Sequence, residues 1–511
     1  MKRWTLYSLA LVLSAVFTAD AVGATKSHSD WKKEYRSYQY PDYRIPTLPD
    51  RFEERKEQIN EELIRLIEFQ KQWELNYAKD TVDFRFFQVD GELKKELESL
   101  SEQGVGERLS KKIDLPTFLT LAVLRNPGVK ATQNRYRAAM EKFSQTFDLE
   151  ETLNQYRSFT RDLKIPFGPK NHMDPIGKDY PVPGVTTLKA EVINQDIKIQ
   201  SLRYSSVLRD LRTNVIKAYE QYVFLNHAIR ITRENLELFR KLEESAQVKY
   251  DTGRSGYNAV IQIQIRIDRL ANELKDLQQD RQAVETRLME LADLLSGFRL
   301  GTPVPNQPVS LKETKQELIQ TGLAERQEIQ IARASARKME LMIQMSEKMV
   351  VPQSAAGYSN FGNQLVNQVG TDAKKPAFPL KQGVKPKFFF GTRSAFIREM
   401  KGKLLAMNNE VERRENMTVN QVTTAYYKWD KGQRDRNLFK KSLLGLADQS
   451  VEVSQAEYVS DLIDFPELLD SHNRQLNFRI GYFGAVRDQN QALADLERIV
   501  GQPLSQKEEV E

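Results

Sequence analysis

The sequence predicts a mainly α protein built as a tandem duplication of two long coiled-coil hairpins. Three observations carry that prediction. Apolar residues in two stretches recur at alternating spacings of three and four, a glycine-bearing turn separates the stretches, and the arrangement returns about 208 residues later.

From Leu208 the first stretch runs Leu211, Val215, Ala218, Tyr222, Leu225 and Ile229, the heptad rhythm of a helix with one buried seam. A second stretch runs Ile267, Leu270, Leu274, Leu277, Val284, Leu288, Leu291 and Leu295, with Arg281 as the single exception. Between them lies Tyr250-Asp251-Thr252-Gly253-Arg254-Ser255-Gly256, whose two glycines break helices. Helix, turn and helix therefore form an antiparallel hairpin. At about 1.5 Å per residue the stretch from Asn194 to Tyr250 extends on the order of 80 Å, which no compact domain requires. Ile261 to Ile265 alternates like a strand, but its place inside a longer helical pattern makes it helix.

The C-terminal part repeats the hairpin. Tyr250 falls on Tyr458, Val260 on Leu468, Ile261 on Leu469, Leu288 on Leu496 and Leu291 on Ile499, without a gap. Ala218-Tyr219 answers to Ala425-Tyr426 with an offset one smaller. Upstream of each copy, Leu121 to Ala139 and Leu323 to Lys338 read as helices leading into irregular segments that contain proline. The organisation is thus residues 1–24, 25–110, a first repeat over 111–305 and a second over 306–511.

Residues 1–24 have the anatomy of a cleaved secretory signal. Lys2 and Arg3 precede an apolar run from Leu6 to Phe17, and small residues follow at Ala19, Ala21, Gly23 and Ala24. That run is shorter than the roughly 20 apolar residues a spanning helix needs, and no later stretch reaches that length, so any membrane passage must use strands of a closed barrel. Residues 25–110 form an extension that starts rich in Tyr and Pro and continues as a charged helix from about Arg51 to Tyr77. Its plainest reading is an extended arm along the outside of an assembly.

Composition narrows the function. With 40% hydrophobic and 29% charged residues, the 511-residue chain suits long exposed helices better than one large core. The net charge of +6 is a small difference between 76 basic and 70 acidic residues that are interspersed, which describes a solvated surface rather than a nucleic-acid footprint. No cysteine is present, which removes disulfides, thiolate metal sites and thiol nucleophiles. The four histidines, His28, His172, His227 and His472, share no metal-ligand spacing. No G-x-S-x-G elbow, P-loop or H-E-x-x-H occurs, so an enzyme is not expected.

The irregular segments decide the membrane question. Residues from Phe159 to Val192 carry Pro166, Pro169, Pro175, Pro181 and Pro183, and those from Pro352 to Arg393 carry Pro376, Pro379 and Pro386. Candidate strands are limited to Val185 to Val192, Ala355 to Phe361 and Lys387 to Arg393. None is a run of about ten alternating residues, and proline disfavours a sheet interior, so the segments read as loops or abbreviated strands.

This pattern resembles the TolC family of outer-membrane efflux proteins. Leu115 to Ala139, with Asn126-Pro127, is similar to the family's opening helix. Ala246 to Leu295 resembles its Tyr, two residues, Gly turn and returning helix, and Glu457 to Gly501, closing on Leu496-Glu497-Arg498-Ile499-Val500-Gly501, resembles its second copy. The likeness spans about residues 113–502. It implies a Gram-negative homotrimer whose hairpins make a TolC-like α-barrel across the periplasm, capped by a β-barrel in the outer membrane, with a periplasmic adaptor and an inner-membrane pump docked at the turn end. Such a subunit is a passive conduit of a tripartite efflux or type I secretion system, without a cofactor. Here the segments that would supply strands are short and broken, so the β-barrel portion is expected to be short or degenerate. A barrel-less periplasmic scaffold or conduit with the same duplication is the alternative.

Site residues follow from the resemblance. Glu467 and Asp470 stand where relatives carry acidic residues at the closed periplasmic entrance, and three copies would form stacked carboxylate rings. Ordinary acids favoured at a helix start are the competing reading. Gly253, Arg254 and Ser255 occupy the tip that touches the adaptor. In the second turn Asp461 replaces that glycine and Leu462 and Ile463 follow, apolar residues that favour partner contact. Tyr219, Tyr222, Tyr426 and Tyr427 are expected to be packing residues.

Overall fold

A computed structural model of the chain describes residues 52–79, 91–146, 183–252, 256–294, 299–308, 310–348, 387–460, 462–504 and 506–507. The proposed signal segment, the Tyr- and Pro-rich stretch before residue 52 and the strand candidate Ala355 to Phe361 lie outside the described residues. Among the described residues no helix is long and apolar enough to cross a membrane.

Among the described residues, three helices precede the duplication: α1 (Phe52–Lys79), α2 (Gly91–Ser99) and α3 (Glu102–Lys111). They are not an extended arm. Leu63 and Leu66 of α1, Leu97 of α2 and Val105 and Leu109 of α3 are buried in one core with the first repeat. Trp73 stacks on Phe143 at 5.6 Å and donates its indole N–H to the carbonyl of Met140 at 3.1 Å. Each buried leucine stabilises by about 1.5–3 kcal/mol, so this region is part of the fold and not an appendage.

The first repeat opens with β1 (Lys112–Ile113), α4 (Leu115–Arg125) and α5 (Pro127–Thr146). Asp114 caps α4 by accepting from the Thr117 N–H at 2.8 Å, and Pro116 sits where a helix start needs no N–H. Asn126 explains the Asn-Pro dipeptide. Its side-chain oxygen accepts from the N–H groups of Gly128 and Val129 at 2.9 and 3.2 Å, starting α5, while its amide donates to the Leu291 carbonyl at 3.0 Å. One side chain therefore breaks the helix, caps the next and ties both to the far end of the hairpin.

That hairpin is α6 (Pro183–Asp251, 69 residues) and α7 (Tyr257–Leu291, 35 residues). Residues 302–303 form β2, which pairs in parallel with β1. Tyr219 and Tyr222 lock this joint: the Tyr219 hydroxyl lies 2.9 and 2.8 Å from the carbonyls of Ile113 and Val304, and the Tyr222 hydroxyl lies 3.1 and 3.2 Å from those of Leu300 and Gly301. Along α7 the expected seam holds as far as Leu291, and Leu295 lies outside the described residues. Leu270, Leu288 and Leu291 are buried, and Ile267, Leu274, Leu277, Arg281 and Val284 are half-buried. Ile261 to Ile265 is helical as read. Val185 to Val192 is not a strand but the first turns of α6, because Ala190 and Ile193 pack into the first core at helical spacing.

The second repeat has β3 (Ser310–Leu311), α8 (Lys315–Glu325), α9 (Gln327–Lys348), α10 (Lys387–Leu438), a π-helical turn (Phe439–Leu443), α11 (Leu444–Val459), α12 (Phe465–Val500) and β4 (Gln506–Lys507), which pairs antiparallel with β3. α8 follows α4 by 200 residues, Lys315 against Leu115, and starts with a capping box of Thr314 and Glu317. Lys387 to Arg393, read as a strand candidate, is helical in α10. Its run of three phenylalanines carried no alternation that could set a strand.

The change of offset from 207 to 208 has a local cause. Ala218 matches Ala425 before the π turn and Val260 matches Leu468 after it, and a π turn admits one extra residue without breaking a helix. The insertion thus sits within Phe439–Leu443, whereas α6 runs through the equivalent region as an uninterrupted α-helix. Phe439 fills the space left by Gly481, where a Cβ would lie 2.7 Å from its ring.

The helices pack in the order α5, α6, α9, α10, with α7 and α12 returning beside α6 and α10. α6 is buried on more than the one expected seam: Ile216, Tyr219, Val223 and Ile231 are covered as well as Leu208, Leu211, Val215 and Leu225. It meets its own hairpin partner and two helices of the second repeat, so one stripe is not enough.

Candidate functional site

The two turns lie side by side. Tyr458 of α11, Phe465 and Leu468 of α12, Ala246 of α6, and Val260 and Ile263 of α7 form one buried cluster. Tyr458 meets Phe465 edge to face at 5.8 Å. The Lys249 ammonium stands 3.9 Å over the Tyr458 ring and donates to the Tyr458 carbonyl at 2.9 Å. This cation–π contact and hydrogen bond join the first hairpin to the second at their ends.

The predicted tip residues separate. Gly253, Arg254 and Ser255 lie outside the described residues, between Thr252 and Gly256, which starts α7. Leu462 is 75% exposed, its N–H bonded to the Glu457 carbonyl at 2.8 Å. Ile463 instead packs against the tip cluster. Val459, three residues before Leu462, is 76% exposed, so the second turn carries two exposed apolar side chains. Asp461, which replaces the glycine in the second turn, lies outside the described residues; Ser460 ends α11 before it and Asp464 begins α12 after it.

Glu467 lies in the first turn of α12 and is exposed; among the described residues its carboxylate has no ion-pair partner. Asp470, one turn on, accepts from Arg474 at 2.5 Å, so its charge is balanced on its own helix. The geometry leaves Glu467 as the uncompensated acid. Just inside, His472 is buried beneath the edge of Phe239 at 6.1 Å, and burial lowers its pKa, keeping the ring neutral.

A second polar assembly was not legible in the sequence. Arg209 of α6 is 1% exposed. It donates to Gln327 at 2.6 Å, to both oxygens of Glu328 at 2.5 and 3.0 Å, and to Asp210 at 3.0 Å. Gln327 in turn donates to the Gly501 carbonyl at 2.8 Å, and Arg326 reaches Glu328 at 3.1 Å and Thr418 at 2.9 Å. Four helices, α6, α9, α10 and the end of α12, meet here. Burial pushes the Glu328 carboxyl up, but the hydrogen bonds and charge of Arg209 outweigh it and hold the group at about 2. Farther along α6, Arg212 pairs with Glu497 and Lys217 with Asp495. Glu220 is buried and bonded to Asn306 at 2.6 Å, and burial raises its pKa against the opposing hydrogen bonds of Asn306 and Asn490. The only signal was position: Arg209 and Arg212 directly follow the seam residues Leu208 and Leu211.

Of the four tyrosines expected to pack, Tyr219 and Tyr222 are buried and Tyr426 is half-buried. Tyr427 is exposed, its ring under the Lys315 ammonium at 5.2 Å. Among the described residues no group of His, Asp and Glu is arranged to hold a metal ion.

Duplicated helix, long hairpin and paired tips define the TolC-like helical hairpin fold of outer-membrane channels. The solved structures similar to this chain include a membrane protein from Pseudomonas aeruginosa, at 13% identity and a TM-score of 0.55, covering 80% of this chain and 94% of that one. Another is the outer membrane protein VceC from Vibrio cholerae, at 12% identity and a TM-score of 0.53, covering 76% and 97%. The outer-membrane channel OprN is 15% identical with a TM-score of 0.52, covering 76% and 90%. No protein-family model matches the sequence, and no curated protein sequence matches it significantly. At these identities the likeness establishes the fold.

Proposed function

We propose that the chain is the subunit of a trimeric export channel of the outer membrane, facing the periplasm. It is a passive conduit for exported solutes, working with a periplasmic adaptor and an inner-membrane pump in a tripartite efflux or type I secretion system. The observation that carries this reading is the pair of full-length hairpins held tip beside tip, in a fold shared with outer-membrane channels. The apolar surface at Leu462 and the residues Gly253, Arg254 and Ser255 of the first hairpin form the adaptor contact, and Ile463 supports Leu462 from within. Glu467 lines the entrance, and three copies form a carboxylate ring that attracts cations; Asp470 contributes less because Arg474 balances it.

One observation favours the second reading, a barrel-less periplasmic conduit: Val185 to Val192 and Lys387 to Arg393 are helical, leaving fewer residues for strands. Fractionation of a Gram-negative host expressing the full chain decides between them. A channel stays with outer membranes after carbonate extraction and conducts in planar bilayers. Release into the soluble periplasm leaves the conduit without a barrel, and a protein that neither conducts nor assembles defeats both.

A further inference from the structure

Methionine is spread unevenly along the chain. Six of its eleven methionines fall between residues 339 and 407, which span the end of α9, the start of α10 and the segment between them. Four of these close on one contact. Met339 and Met342 of α9 and Met400 and Met407 of α10 gather with Ala336, Ile343 and Leu404, so two helices bring thioethers to one place. Ser346 holds them from the α9 side: its hydroxyl donates to the Met342 carbonyl at 2.8 Å and lies 3.7 Å from the Met400 sulfur. Met400 is buried and Met339, Met342 and Met407 are half-buried, which gives the contact a floor and an edge that meets water.

The plain reading of gathered methionines is packing, because a flexible, unbranched side chain fills irregular gaps. The duplication supplies the control. α5 meets α6 at the positions that answer to this contact, with the offsets of 200 and 207 residues. Met339 and Met342 correspond there to Ala139 and Lys142, and Met400 and Met407 to Ile193 and Gln200. The one methionine of those two helices, Met140, falls at the position of Glu340 instead. Phe143 and Ile193 are buried in that first copy, so the same joint of helices closes without a thioether at any of the four positions.

The surroundings narrow the ligand. Thioethers are neutral, soft donors that select Cu(I)-like ions over hard divalent cations. Charged neighbours are already paired: Lys338 with Asp196 at 2.6 Å, Arg337 with Glu340 at 2.9 Å and Lys401 with Glu347 at 3.6 Å. Among the described residues no group of His, Asp and Glu competes for a metal ion, and the chain has no thiolate.

We propose that the contact between α9 and α10 binds one soft monovalent cation, Cu(I) or Ag(I), through the thioether sulfurs of Met339, Met342, Met400 and Met407. The site is complete within one chain and is independent of the reading of that chain as a channel subunit. Met400 is its floor, and the three half-buried methionines bring their sulfurs to the ion from the edge, which their flexible side chains permit.

Silver(I) is the probe, because it needs no reductant. The full-length chain, free of any histidine tag, is purified in non-ionic detergent and chloride-free buffer, incubated with silver nitrate and desalted, and its ratio of silver to protein is measured. One retained ion per chain is expected. Isotope-labelled methionine methyl groups report its place by NMR: the signals of Met339, Met342, Met400 and Met407 should move, and that of Met417, exposed on α10 outside the cluster, should not. Met339→Leu, Met342→Leu and Met407→Leu combined should abolish retention with the urea midpoint close to the parent's, since leucine nearly conserves the volume of methionine. Met417→Leu should retain silver as the parent does. If the triple variant fails to fold, the methyl shifts of the parent decide. A parent that holds no silver, a folded triple variant that holds as much as the parent, or shifts confined to methionines outside the four would overturn the proposal.

Discussion

The outgoing helices of the two hairpins descend from one pattern and meet different surroundings. α6 is enclosed, runs straight through as α-helix and carries Arg209, Arg212, Lys217 and Glu220 into paired, largely buried positions. α10 presents Asn416, Asn420 and Tyr427 at matching places, exposed, and takes up an extra residue in a π turn before α11. The comparison teaches that a heptad seam fixes only the face shared by both copies. What the other faces become depends on which helix is already there, and the charged residues of α6 are tolerated because their partners come from the second repeat.

The largest effect should come from breaking the enclosed side. Arg209→Met leaves Glu328 facing a hydrophobic neighbour and should destabilise by about 3 kcal/mol in urea unfolding, near the lower end for a broken buried pair because Glu328 stays partly solvated. Asn416→Met at the matching exposed position should fall within about 0.5 kcal/mol of the parent. Equal losses would show that the two helices are not in different environments.

Next in size is the close approach of α10 to α12. A Cβ at Gly432 would lie 2.9 Å from the backbone of Gln489, so Gly432→Ala should cost about 1–3 kcal/mol by overpacking. The matching residue in α6 is Leu225, buried, which shows that the first hairpin leaves room for a side chain where the second does not. A neutral Gly432→Ala would mean the helices part easily there.

Two carboxyls on the enclosed side give opposite pH dependence. The Glu220 pKa is raised in the folded protein, so the native state binds the extra proton and stability falls as pH rises from the ordinary value of about 4.5 through the raised one, with a slope of at most about 1.4 kcal/mol per pH unit. Glu220→Gln should remove that fall. Glu328 is depressed to about 2, so its contribution is complete above the ordinary value and lost as pH drops towards 2; Glu328→Gln should flatten the acid limb instead. Denaturation midpoints across pH for the two variants check both signs.

Smallest in stability, and largest in function, are the tip changes. Leu462→Asp should shift unfolding by less than about 0.5 kcal/mol, since the side chain is exposed, yet abolish co-purification with an adaptor hairpin, as should Gly253→Trp. Glu467→Gln should reduce cation block of the open channel more than Asp470→Asn does, because Arg474 already balances Asp470. Unchanged block in the double variant removes the ring from the account.

Much of this was legible in the sequence because it rests on periodicity. Leu270, Leu288 and Leu291 repeat at coiled-coil spacing and are buried, and the one-residue change of offset between Ala425 and Leu468 brackets the π turn at Phe439–Leu443. Val185 to Val192 misled because Leu188, Ala190 and Val192 alternate with Lys189 and Glu191 over a stretch too short to fix a period, and the helix that continues through Ile193 and Ile197 settles its state. The packed helices of residues 52–111 were hidden by their charge: Leu63 and Leu66 sit among acidic and basic neighbours, and only their docking against the first repeat shows them to be core. Arg209 gave only the weak signal of its place beside Leu208, since an arginine on a helix is solvated far more often than paired, and Gln327 and Glu328, which hold it, lie more than a hundred residues away.

The most direct test is an electron-microscopic image of the purified full-length chain viewed down its long axis. The account predicts three copies, each adding two coils, closed around a hollow with the turns gathered at one end. A filled particle, a two-copy rod or isolated hairpins in that view would contradict it.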